Sequence, residues 1–158
     1  MKKRTAFIGV ILSLIPLGQP LLIKTVGVLS GSAVMLSLTE KVNAESAVLS
    51  NVNSAQEKIE KEDYYGAISD YMKAIEIEPN NALLYSMRSY PKFVLKDFIG
   101  SISDLNKAIK INPNRGSFYK LRGNAKYMLN EVKSACIDWS KAASLGDKDG
   151  IPNIKKWC

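Results

Sequence analysis

With 158 residues, 46% of them hydrophobic and 23% charged, the chain is long enough for one modest domain with a usable core and is not composed like a disordered segment. It has no histidine, which removes the commonest general base, metal ligand and neutral-pH switch and counts against an enzyme. The formal charge of +7 is concentrated at the amino terminus: from Glu45 onward 17 bases face 14 acids, and no basic groove with interleaved aromatics marks a nucleic-acid binder.

The chain opens with "MKKR", continues through apolar runs at 6–23 and 25–38, and reaches "TEKVNAES", with small residues at Val42 and Ala44. Residues 1–44 read as an export signal cleaved after Ala44, although Lys24 interrupts the apolar region and the segment exceeds the usual length of about 15–30 residues. The alternative is an uncleaved membrane anchor over the same residues, against which Pro16, Gly18, Gln19 and Pro20 count. Cleavage would place the rest of the chain in a periplasm, a lumen or the medium; an anchor would hold it at the inner membrane. The two cysteines, Cys136 and Cys158, lie far from Ala44, so a lipid anchor is not expected.

Beyond this segment the sequence repeats. "YYGAISDYMKAIEIEPNN" (64–81) matches "FIGSISDLNKAIKINPNR" (98–115) at ten of eighteen positions, and "VKSACIDWSKAASLGDKD" (132–149) is a looser third copy at the same interval. The starts at 64, 98 and 132 define a period of 34. Apolar residues at Ile68, Tyr71, Ala74 and Ile75, and again at Ile102, Leu105, Ala108 and Ile109, have helical spacing. A second helical stretch precedes each copy, at about 47–59, 82–95 and 117–129, with turns at 60–63, 96–97 and 130–131. Pro79 and Pro113 end the second helices. Such pairs cannot bury their apolar faces alone, so they are expected to stack into an all-α solenoid, with units 48–81, 82–115 and 116–149 and a capping helix at 150–158. Ala55, Ser89 and Gly123 on the first helices, and Ala74, Ala108 and Ala142 on the second, mark the closest approaches. Pro91 falls inside the first helix of the second unit and is expected to kink it.

Charge sorts by unit, from a net −4 in 48–81 to +4 in 82–115 and +2 in 116–149. Asp70 with Lys73, Asp104 with Lys107 and Asp138 with Lys141 read as surface pairs worth about 0.2–0.5 kcal/mol each. No paired-carboxylate, phosphate-loop or nucleophile–base arrangement is present, so no catalytic residue, metal site or cofactor is expected. "DKDG" (147–150) lacks the spacing and closing Glu of a calcium loop.

The chain resembles the tetratricopeptide repeat family, with its period of 34 and its pattern of an aromatic, a Gly or Ala, a Tyr, then Ala, an aromatic, Ala and Pro. The first unit carries Ala67, Tyr71, Ala74 and Pro79; the second Tyr85, Leu105, Ala108 and Pro113; the third Tyr119, Gly123, Ala135, Trp139 and Ala142, with Tyr127 one place late and Asp147 where a Pro is usual. The resemblance implies three helix-turn-helix repeats plus a cap, a protein-binding function without chemistry, and a concave face made by the first helices. On that face it places Gln56, Ile59, Ser86, Tyr90, Phe93, Lys120, Asn124 and Tyr127, aromatics with a few donors, suited to a peptide. Family members that clamp a carboxylate use a Lys and an Asn one turn apart; Lys120 and Asn124 have that spacing, but Val52, Gln56 and Ser86 do not complete a clamp. The expected function is an adaptor or assembly factor binding a protein or peptide. The alternative is a membrane-anchored structural or self-associating envelope protein.

Repeat arithmetic also pairs the cysteines. Cys136 stands where Ile68 and Ile102 stand, facing the next element of the solenoid, which for the third unit is the cap. Cys136 lies nine residues before Leu145, and Cys158 nine after Asp149, so two antiparallel helices rising about 1.5 Å per residue bring both to one level. A disulfide there closes a loop of about twenty residues, worth about 3 kcal/mol by chain entropy.

Overall fold

The computed structural model describes residues 31–158. Residues 1–30, which hold most of the proposed export signal, lie outside that range. The described chain is helical throughout: α1 (Gly31–Glu60), α2 (Tyr64–Ile77), α3 (Ala82–Val94), α4 (Phe98–Ile111), α5 (Gly116–Met128), α6 (Val132–Ser144), a 3-10 turn at Lys148–Gly150 and α7 (Ile151–Trp157). Each helix packs on the next, so the elements form the pairs α1–α2, α3–α4 and α5–α6, stacked in order and closed by α7.

The same local chemistry recurs in each pair. Two positions past the end of each first helix stands a residue with left-handed backbone, Glu62, Lys96 and Asn130 at φ of 60°, 63° and 66°. Around it the amides of Asp63, Asp97 and Glu131 reach back to the carbonyls of Lys58, Lys92 and Lys126 at 2.8, 2.9 and 3.0 Å, the closure that satisfies the orphaned carbonyls of a helix end. Asp63 and Asp97 then cap the following helix, each accepting from the amide of Gly66 or Gly100 at 2.9 Å. Between pairs, the hydroxyls of Tyr85 and Tyr119 donate to the carbonyls of Pro79 and Pro113 at 3.0 Å, tying a first helix to the turn before it.

The core follows the small-residue pattern read from the sequence. Ala55, Ala74, Ala108 and Ala142 are fully buried, and Ser89 nearly so. At Gly123 a Cβ would fall 2.6 Å from the Trp139 indole nitrogen, so only glycine lets α5 meet α6 there. Tyr71, Leu105 and Trp139, each one repeat beyond the last, fill equivalent interior places.

One feature differs from expectation: α1 begins at Gly31 rather than near Ala47 and passes through Ala44 without a break, because no glycine or proline interrupts residues 32–60. Helix α3 runs through Pro91 to Val94, as its expected bounds require, with the Pro91 ring buried in the place that Ala125 takes in the next pair. Burial of the ring offsets the hydrogen bond that its nitrogen cannot make.

Candidate functional site

The predicted surface is built from first helices, because their outward residues at equivalent repeat positions fall in one row. Tyr90, Phe93 and Asn124, with Ser89, Ser101 and Leu121, enclose a cavity of about 170 Å³. Phe93 and Asn124 also line a second recess of about 240 Å³ with Tyr127, Met128, Trp139, Asn153 and Trp157. The two hollows adjoin at Phe93 and Asn124 and together make up a trough along the second and third pairs. The structure therefore brings Tyr90, Phe93, Asn124 and Tyr127 together. Gln56 is exposed on α1 and lines neither hollow; Ile59 packs against Ala55, Ala67 and Tyr71, and Ser86 spends its carbonyl on the Ser89 hydroxyl at 2.6 Å. A further hollow of about 580 Å³ lies at the turns between pairs, bounded by residues 78–83 and by Ile111, Asn112, Arg115 and Phe118, and holds none of the predicted binding residues.

Aromatic contacts set the trough's shape. Phe93 meets Phe98 edge to face with centroids 5.3 Å apart. Tyr127 lies between Trp139 at 5.8 Å and Trp157 at 5.0 Å. Tyr90 is 50% exposed and Met128 52%, so large apolar groups stand open to solvent on this face. Met128 and Val94 are absent from the predicted face, although they stand one repeat apart, each one place beyond Tyr127 and Phe93. Trp157 is absent from it because its place depends on how the last helix folds back.

Lys120 and Asn124, the pair with clamp spacing, are already engaged. The Lys120 ammonium donates to Asp149 at 2.8 Å and sits 3.4 Å from Asp147. The Asp149 bond raises the Lys120 pKa, against partial burial and with help from Asp147, and the same contact holds Asp149 below the usual carboxylate range. Asn124 accepts from the Trp139 indole at 2.9 Å and from the Asn153 amide at 3.4 Å. Neither side chain is disposed to receive a peptide carboxylate.

Behind the trough runs a row of buried acids. Asp70, Asp104 and Asp138 are 2%, 4% and 2% exposed. Asp104 takes a forked pair of bonds from Arg88 at 2.9 and 2.6 Å and a contact from Lys92 at 2.9 Å. Asp138 takes the same fork from Arg122 and a contact from Lys126 at 2.8 Å. Asp70 is met by Ser54 and Lys58 at 2.6 Å and by Lys73 at 2.8 Å. Of the surface pairs expected from the sequence, Asp70 with Lys73 forms; Asp104 and Asp138 turn inward to the preceding helix, where a planar guanidinium matches both carboxylate oxygens. These acids bind helix to helix, which leaves them no capacity for a ligand. Among the described residues no group of three or more His, Cys, Asp or Glu converges as a metal site would require.

Cys136 and Cys158 are joined, with Cα atoms 5.8 Å apart, so α7 is tied by its last residue to the middle of α6.

Paired helices stacked at a fixed period, with the same turn and buried acid in each, define an α-solenoid of helix-turn-helix repeats. Residues 49–81, the first helix pair with the end of α1, match the tetratricopeptide repeat family model. The chain is similar to the first tetratricopeptide domain of Spaghetti (RPAP3) bound to the HSP90 peptide SRMEEVD, at 25% identity and a TM-score of 0.67 over 70% of this chain and 90% of that one. It is similar also to the first such domain of human RPAP3, at 25% identity and a TM-score of 0.66 over 69% of this chain and 87% of that one. A third likeness is the TPR2B domain of yeast Sti1 in its pHsp70 complex, at 25% identity and a TM-score of 0.64 over 71% of this chain and 93% of that one. A comparison with curated proteins returns no match.

Proposed function

We propose that this chain is a non-catalytic adaptor or assembly factor that holds a peptide segment of a partner protein in the trough of its first helices. The observation that carries the reading is the pair of adjoining hollows from Tyr90 to Trp157, rich in aromatic side chains and open to solvent beside a closed interior. Support comes from the two similar domains that bind HSP90 and pHsp70 sequences. The ligand here differs in chemistry. The peptide SRMEEVD is acidic at its carboxyl end, whereas Lys120 is neutralised by Asp147 and Asp149 and no cation is among the residues that line the trough. Panning displayed peptides against the purified chain should enrich uncharged, apolar-rich segments whose binding is lost on Tyr90→Ala. Enrichment of acidic carboxyl-terminal peptides, or of peptides indifferent to Tyr90, would contradict the reading.

Export with cleavage after Ala44 is proposed on the strength of residues 1–44, and the disulfide fits an oxidising compartment. Amino-terminal sequencing of the native protein should return Glu45. The membrane-anchored, self-associating alternative draws on one observation: α1 carries exposed Leu38 and Val42 ahead of the first pair. Among the described residues no helix is long and apolar enough to cross a membrane. Recovery of intact Met1 in a membrane fraction would favour that alternative.

A further inference from the structure

We infer that the recess at the α7 end of the trough is a subsite for one Phe- or Leu-sized side chain of an uncharged peptide, and that it exists only while the Cys136–Cys158 disulfide is closed. The inference rests on the trough being the peptide site and adds the ligand's chemistry and a redox condition.

Four aromatic side chains, Phe93, Tyr127, Trp139 and Trp157, line the recess. Phe93 stands on one side, Tyr127 forms the back, and Trp157, 43% exposed, leans over Tyr127 at 5.0 Å. Met128 supplies a flexible, polarisable rim suited to side chains of differing shape. Among the described residues no charged side chain lines the space, and its amides are already matched to each other and to Trp139. Its volume, about 240 Å³, has room for one large side chain and none for a helix. An acid entering here would lose its water and gain no cation, so the charge balance selects an apolar group.

Trp157 does not hold its own position. Helix α7 has seven residues and buries none of them, and a helix this short is unstable alone. Its hydrogen bond to α5 is the 3.4 Å contact between Asn153 and Asn124. The covalent tie is Cys158 to Cys136 on α6, and Cys158 is exposed to solvent. A small dithiol can attack Cys158 there. The Sγ–Sγ bond breaks, the dithiol is oxidised to its cyclic disulfide, and its two electrons and two protons end on Cys136 and Cys158 as thiols. The freed α7 then frays, Trp157 leaves Tyr127, and the recess loses its outer wall.

The two tryptophans give a direct readout, since each indole N–H yields one resonance. Titrating N-acetylphenylalaninamide into the oxidised full chain should shift the Trp157 indole signal saturably, while N-acetylaspartate should not. Dithiothreitol, or Cys158→Ser, should weaken the binding at least tenfold, with the buried Trp139 signal retained as evidence that the solenoid persists. Trp157→Ala with the disulfide intact should weaken it equally without loss of helical circular dichroism, which decides the matter even if the reduced protein unfolds. Equal affinity in oxidised and reduced protein, or undiminished binding by Trp157→Ala, would overturn the inference. A chain that captures displayed peptides but leaves Trp157 unmoved loses the subsite and keeps the trough; a chain that captures no peptide loses both.

Discussion

Asp138 sits 2% exposed with Arg122 forked onto both its oxygens and Lys126 at 2.8 Å, and the difference between this and a surface pair is a matter of magnitude. An exposed Asp–Lys pair on one helix is worth about 0.2–0.5 kcal/mol. Removing one partner of a buried pair strands the other and costs about 3–5 kcal/mol. Asp138→Asn is therefore expected to lower stability by about 3 kcal/mol in urea unfolding, whereas Asp149→Asn, at an exposed side chain, should leave the urea midpoint almost unchanged. Asp70 adds a pH dependence. Burial opposes its ionisation, but Lys58, Lys73 and Ser54 outweigh burial and hold its carboxyl well below the usual range. With a native value below the ordinary 3.8, its contribution is complete above that pH and is lost as acid protonates the native state. The urea midpoint should fall between pH 5 and pH 2.5, and Asp70→Asn should flatten that fall. None of this is visible in the repeat period alone: the period places Asp70, Asp104 and Asp138 at equivalent positions, but Arg88 and Arg122, the partners of the last two, lie sixteen residues back on another helix. Local pairing with Lys107 and Lys141 is the nearer reading, and the guanidinium fork wins because burial rewards two bonds over one.

At the scale of elements, helix existence and type are legible because period, apolar spacing and the proline stops agree with one another. Ends are less so. Glu62, Lys96 and Asn130 share a left-handed conformation that composition does not announce, since among the described residues the usual glycine stands only at Gly146, after α6, at φ 90°. A lysine in that conformation strains its Cβ, by about 1 kcal/mol. Lys96→Gly should raise stability by about 0.5–1 kcal/mol, measured by thermal or urea unfolding; a loss would mean that the turn is held by something other than backbone geometry. The long α1 has the opposite explanation. With no breaker between residues 32 and 60, helix propensity carries through the segment read as a signal boundary, and nothing local marks Ala47 as a start. Pro91 lies inside α3, which runs on to Val94 with the ring in an interior place equivalent to Ala125.

Over the whole molecule, the predicted binding face has eight residues, and the structure gathers four of them, Tyr90, Phe93, Asn124 and Tyr127, around one trough. Lys120 is legible as a first-helix residue but not as a satisfied one, since Asp147 and Asp149 reach it only after the chain has turned past α6. Trp157 escapes for the same reason. The central claim is that the partner sits on the first helices and not on the second, which also expose large apolar groups: Tyr65 on α2 is 75% exposed and Ile99 on α4 73%. The direct test compares partner capture from an envelope fraction by four forms of the full chain carrying Tyr90→Ala, Met128→Ala, Tyr65→Ala or Ile99→Ala, all at exposed positions, with helical circular dichroism as the check that each is folded. Loss of capture by the first two with retention by the last two is the predicted result. Retention by Tyr90→Ala and Met128→Ala with loss by Tyr65→Ala or Ile99→Ala would place the partner on the opposite face and contradict the account.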